Sequence, residues 1–124
     1  MIVPSWISIV HEAGTDLSGA GVYLWTIGRQ TYVGKATRLR SRLQEYLNNA
    51  RKLEAGLPYR RSNPEGFRQV HLALDAARRQ GLAVEWQVLE CYSPGSSLLA
   101  RERHYIKTLK PTLNGPLRPA ESET

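Results

Sequence analysis

A single cysteine, Cys91, in 124 residues excludes an intramolecular disulfide and any multi-thiolate metal centre, and it suits a reducing, cytoplasmic setting. No apolar run is long enough to span a bilayer. The first Lys or Arg is Arg29, so the N-terminus does not read as a secretory leader. His11, His71 and His104 lack the spacing of metal ligands, and no Ser-His-Asp or Cys-His arrangement can be drawn. No GxGxxG occurs, and Gly34-Lys35 lacks the spacing of a P-loop. Repeats and low-complexity tracts are also missing.

Acidic residues are scarce too. Seventeen Lys and Arg against 11 Asp and Glu give a net charge of +6 and a pI near 9.8. Residues 29–79 hold 12 basic against 4 acidic side chains, and the remainder is net −2, so the whole excess lies mid-chain. That asymmetry points to a polyanionic partner, nucleic acid before membrane.

With 41% hydrophobic residues, the chain supports one domain with a modest core. We place that domain at 1–115, with 1–20 as an extension carrying a short strand near Trp6 to Val10, and 116–124 as a flexible tail. Gly28-Arg29 reads as a type II′ hairpin loop. It pairs Ile27 with Gln30, Trp25 with Tyr32 and Tyr23 with Gly34. Tyr23, Trp25 and Tyr32 then share one face, and Val22, Leu24 and Val33 the other. A helix follows over 37–53, with Thr37 as N-cap and Leu39, Leu43, Tyr46, Leu47 and Ala50 as its apolar stripe. Asn63-Pro64 reads as the start of a second helix, which carries Phe67, Val70, Leu74 and Ala77 and closes at Gly81. Leu82, Val84, Trp86 and Val88 alternate as a strand; Trp25 and Trp86 read as packing residues. Ser93-Pro94-Gly95 turns into a last helix, about 97–109, halted by Pro111. The order β-β-α-α-β-α implies an α+β domain: a small antiparallel or mixed sheet of about three strands flanked by helices.

Glu102 is anomalous, because it falls mid-way along an apolar arc of Leu98, Leu99, Tyr105, Ile106 and Leu109. A carboxylate there is paired with an arginine from another element, holds a hard divalent cation, or opens onto a cleft. Arg42 and Tyr46, four apart, share a helix face. Lys35 sits at the strand-to-helix turn. Arg38 and Arg40 are solvated or contact phosphate, for which the arginine fork is suited. His71 is either a core-edge group or a phosphate ligand, and we carry it with the nucleic-acid set.

Together Gly21-Val22-Tyr23, Tyr32-Val33-Gly34-Lys35-Ala36, Arg42, Tyr46, Glu102 within Leu98 to Lys107, and Asn114 resemble the GIY-YIG nuclease family. The likeness is to the branch at the N-terminus of the bacterial excision-repair nuclease subunit, and it spans about residues 19–115. Val22 and Val33 replace isoleucines, and the basic insert at 51–70 lies outside the family pattern. The resemblance implies a metal-dependent endonuclease that hydrolyses DNA phosphodiester bonds. One Mg²⁺ or Mn²⁺ ion would sit on Glu102, with Tyr23 as general base and Tyr32 holding the water or its proton. Free tyrosine has a pKa near 10, so Lys35, Arg42 or the metal must tune the base. Arg42 would stabilise the transition state, Tyr46 would contact phosphate or Arg42, and Asn114 would brace the site or hold the glutamate-bearing helix against the sheet. The substrate would be double-stranded or branched DNA, with a homodimer or a partner protein choosing the target and no membrane involved. Arg38, Arg40, Arg51, Lys52, Arg60, Arg61, Arg68 and His71 are the nucleic-acid candidates. The competing readings are a non-cutting basic binding module on the same fold and a basic RNA-binding or ribosome-associated protein.

Overall fold

The computed structural model describes residues 1–91 and 97–114; the expected Ser93-Pro94-Gly95 turn and the tail lie outside the described residues. In chain order the elements are β1 (Ile7–Val10), β2 (Gly21–Ile27), β3 (Gln30–Ala36), α1 (Leu39–Glu54), α2 (Gln69–Gln80), β4 (Val84–Cys91) and α3 (Leu98–Leu109). The strands form one mixed sheet in the order β1-β4-β2-β3, an α+β arrangement. The sheet has four strands rather than about three. The extra one is β1, which pairs in parallel with β4, Ile7 opposite Val84.

The β2–β3 hairpin has the register read from sequence: Ile27 opposite Gln30, Trp25 opposite Tyr32, Tyr23 opposite Gly34. Gly28 takes φ +61°, and Lys110 is the one non-glycine with positive φ among the described residues, so Arg29 keeps negative φ as a II′ loop requires. Between β2 and β4 the register slips at Val22/Tyr23, a bulge that bends the strand beside Tyr23.

One face of the sheet carries Tyr23, Trp25, Ile27 and Trp86, and it packs on Leu39, Leu43, Tyr46 and Leu47 of α1 and on Val70, Leu74 and Ala77 of α2. Each fully buried leucine there contributes roughly 1.5–3 kcal/mol. Both tryptophans are fully buried, as their packing role requires. On the opposite face, Lys35 and Glu90 pair with Glu102 and Arg101 of α3. Residues Leu98 to Leu109 form the expected helix, capped by Ser97 Oγ accepting from the Ala100 amide at 3.1 Å. Its apolar arc is only partly covered, since Leu99 and Leu109 stay exposed.

Both expected N-caps of the earlier helices are corrected. α1 begins at Leu39, and Thr37 caps nothing. The Leu39 and Arg40 amides are met instead by the carbonyls of Gly19 and Leu17, at 2.9 and 2.8 Å. A preceding loop thus does what a side-chain cap would do. α2 begins at Gln69, not after Asn63-Pro64. Asn63 and Pro64 sit in a compact loop, where the Asn63 carbonyl accepts from Gly66 N and the Pro64 carbonyl from Tyr59 N. Lys52 Nζ ties that loop to α1 by donating to the Tyr59 carbonyl at 2.8 Å. Gly81 ends α2 with φ +68°, as expected. The strand expected from Leu82 starts two residues later, at Val84, and Leu82 is exposed.

Candidate active site

Tyr23 and Tyr46 meet inside the core. Their hydroxyl oxygens are 2.7 Å apart, and the residues are 0% and 1% exposed. The rings pack edge to face with centroids 5.8 Å apart. Tyr23 lies directly over Gly34, where an added Cβ would fall 2.3 Å from both Tyr23 Cζ and Oη. That position has to be glycine for the phenol to reach its partner. Gly21 is similarly confined, by the Glu90 carbonyl and Leu39.

The hydrogen-bond directions set the order of acidity in the pair. Arg68 Nη2 donates to Tyr46 Oη at 3.4 Å, which favours Tyr46 giving its own proton toward Tyr23. The Arg42 guanidinium also acts to lower the Tyr23 pKa. Burial pushes the Tyr23 phenol up to about 12, opposed by the hydrogen bond from Tyr46 and by the Arg42 charge. Burial drives Tyr46 higher still, and neighbouring Tyr23 and Tyr32 add to the shift. Tyr23 is therefore the more acidic of the two. Tyr32 is only partly buried, packed at the margin of the core.

β3 is the outermost strand on its side of the sheet, and its outward backbone groups hold the remaining residues. At Thr31, the N–H donates to Thr112 Oγ1 at 3.0 Å and the carbonyl accepts from Leu113 N at 2.9 Å. At Val33, Asn114 Oδ1 accepts from the amide and Nδ2 donates to the carbonyl, both at 2.8 Å. At Lys35, the carbonyl accepts from Arg42 Nη1 at 3.4 Å. Glu102 Oε1 lies 3.6 Å from Lys35 Nζ, with the carboxylate side chain 15% exposed. Desolvation raises the Glu102 pKa, and the Lys35 ammonium and backbone N–H restrain the rise. Lys35 is well exposed, so the pair contributes about 1 kcal/mol at most.

Glu102 and Arg42 thus both meet Lys35, Tyr23 meets Tyr46 with the Arg42 charge acting on it, and Asn114 pins the strand that carries Lys35. The partner Glu102 needed comes from β3 and is a lysine, not an arginine. Arg101, just outside the arc, is bound bidentately to Glu90 at 2.7 and 3.0 Å and clamps the start of α3 to β4. Among the described residues no group of three or more His, Cys, Asp or Glu gathers to cage a metal. One partly open carboxylate does fit a hard divalent cation whose other ligands are water and substrate phosphate, the usual Mg²⁺ pattern.

Of the nucleic-acid candidates, Arg38, Arg40 and Arg61 are exposed. Arg51 is exposed and donates to Asn48 at 2.8 Å, and the Arg60 guanidinium lies 5.1 Å from the Tyr59 ring centre. His71 is buried, 3% exposed, and lines a cavity with Arg42 and Arg68. Its Nδ1 accepts from the Arg68 amide at 3.0 Å. Sequence reasoning missed the role of Gly34; its signal was a glycine paired opposite a tyrosine in the hairpin. The contact of Arg68 with Tyr46 had no signal, because it joins an irregular loop to a helix.

Burial, aided by neighbouring Arg68, lowers the His71 pKa from the usual 6.5 to about 4. Between those values the unfolded chain binds more protons than the folded one, so stability falls as pH falls. The contribution is complete above the unfolded pKa, and about 3 kcal/mol is lost on acidification to the folded value. Urea unfolding at pH 7 and 4.5 should show most of that loss. His71→Gln keeps an acceptor at the same helix position and should flatten the dependence; an equal acid loss in both proteins would rule His71 out.

No helix of the described residues is long and apolar enough to cross a membrane. The GIY-YIG catalytic domain matches residues 19–114, most of the chain. The chain belongs to the GIY-YIG nuclease family. No curated protein and no solved structure matches it.

Proposed function

We propose that the chain is a divalent-metal-dependent endonuclease that hydrolyses DNA phosphodiester bonds with one ion per site. The observation that carries this reading is the junction at Lys35, where the carboxylate of α3 and the Arg42 guanidinium of α1 reach the same residue. Glu102 would hold Mg²⁺ or Mn²⁺, which when bound neutralises charge on the phosphate and leaving oxygen. Tyr23 Oη would accept the proton of the attacking water, with Tyr32 orienting that water from the same strand pair. Arg42 would donate to the phosphoryl oxygens as their charge grows. Lys35 would hold Glu102 ionised, and Tyr46 would keep its proton and steer that of Tyr23. Asn114 would fix β3 under the substrate. The exposed Arg38, Arg40, Arg51, Arg60 and Arg61, with Lys52, would carry the DNA backbone through phosphate contacts. A second copy or a partner protein would supply target choice.

A supercoiled-plasmid assay with Mg²⁺ or Mn²⁺ tests the proposal. Nicking should appear and stop on addition of EDTA. With a base whose pKa is about 12, the ionised fraction grows as pH rises, so cutting should accelerate between pH 7 and 9. Binding with no cutting in either metal would favour the non-cutting module instead.

A further inference from the structure

Tyr46 forms one wall of a cavity of about 310 Å³ between α1, the 59–68 loop and α2. Arg42 and Arg68 both line it, as do Asn49, Tyr59 and His71. Arg42 has a carboxylate neighbour, Glu45, at 3.4 Å. Arg68 differs: no Asp or Glu among the described residues comes within ion-pair distance of its guanidinium. Its contacts are the Tyr46 hydroxyl and the Tyr46 ring, 5.9 Å from guanidinium carbon to centroid. Arg68 is solvent-accessible as a residue, so its guanidinium, set at the cavity wall without an acid, is open to an incoming phosphate.

The surroundings add donors and no further carboxylate beyond Glu45. His71 Nδ1 accepts from the Arg68 amide, so the neutral ring keeps its proton on Nε2. Nε2 lies 3.4 Å from the Asn49 carboxamide nitrogen. The amide satisfies a protonated Nε2 only with its oxygen turned to the ring. That turn frees both Asn49 N–H donors for the cavity. Tyr59 closes the other side, with Arg60 stacked on it at 5.1 Å.

We propose that this cavity is a second phosphate subsite, taking the backbone phosphate next to the scissile one, with Arg68 and Asn49 as its donors. This rests on the endonuclease reading, because the cavity shares Arg42 and Tyr46 with the candidate active site. His71 is a positioning residue here, acting through the Arg68 backbone and the Asn49 amide. The insert therefore folds back to extend the site by one nucleotide.

The probes are thymidine 3′,5′-bisphosphate and thymidine 5′-monophosphate, titrated in EDTA and followed by NMR. The bisphosphate should bind wild type roughly tenfold more tightly, the scale of one charge-assisted phosphate contact. Arg68→Gln should bring the two affinities together, whereas Arg29→Gln, which removes an exposed charge in the β2–β3 loop away from the cavity, should keep them apart. Arg68→Lys, which keeps the cation without the fork, should fall between, and it serves should Arg68→Gln fail to fold. Equal affinities in wild type, or an undiminished difference in Arg68→Gln, would overturn the subsite. A chain that separates the two ligands yet never cuts plasmid would sink the nuclease reading alone.

Discussion

Glu102→Gln should cut DNA roughly 10²–10⁴-fold more slowly than wild type, the scale of losing metal-borne charge neutralisation at the transition state, while melting at the same or a higher temperature. The two halves of this expectation have one cause. Desolvation lifts the Glu102 pKa above its ordinary value, so keeping the group ionised at neutral pH costs folding energy. Lys35 offsets little of that cost, being 43% exposed at 3.6 Å. A neutral amide of the same shape removes the cost but is a poor ligand for a hard cation. A purely structural Glu102 would behave the opposite way, losing stability with activity only following. Plasmid nicking rates beside thermal melts separate the cases, and a large drop in melting temperature with near-normal cutting would refute the assignment.

Gly34→Ala should be nearly as damaging, by another route. The new methyl would sit 2.3 Å from the tip of the Tyr23 ring. In an exposed setting a ring tip swings aside, but Tyr23 is wedged between Tyr46 and Trp86, with ring centroids 5.8 and 5.7 Å away. Either the hairpin separates from α1 or Tyr23 leaves Tyr46. Overpacking of this kind costs about 1–3 kcal/mol and occasionally more, which in a domain of this size lowers the melting temperature by roughly 5–20 °C. Cutting should be lost even where the protein stays folded, since the phenol pair is broken. A Gly34→Ala protein with unchanged melting and nicking would show that the ring has room the geometry denies it.

The hairpin was legible residue by residue because its information is local. A glycine in the first loop position fixes the turn, the turn fixes the register, and alternation fixes the faces. The α1 stripe was legible for a similar reason: Leu39, Leu43, Tyr46, Leu47 and Ala50 are all buried. What escaped depended on distant partners. The β1–β4 pairing is parallel, with most of the chain lying between its strands. The amides of the first turn of α1 are satisfied by Gly19 and Leu17 carbonyls, so Thr37, a residue with cap chemistry, was not needed. Asn63-Pro64 had the composition of a helix start, yet a four-residue turn used it first. Glu102 stood out only because it broke a pattern, and its lysine partner lies on another element, where helix geometry alone could not find it.

The bonds along the outer side of β3 also bear on how the protein resists opening. An outermost strand normally offers its free amides and carbonyls to a neighbouring chain, and it is commonly the first to peel away. Here both groups of Thr31 and of Val33 are engaged by Thr112, Leu113 and Asn114, and the Lys35 carbonyl by Arg42. In hydrogen-bonding terms the strand bearing Tyr32 and Lys35 is an inner one. Peeling it would mean releasing the Asn114 and Arg42 contacts together, so the geometry of the candidate site should persist until the domain as a whole gives way.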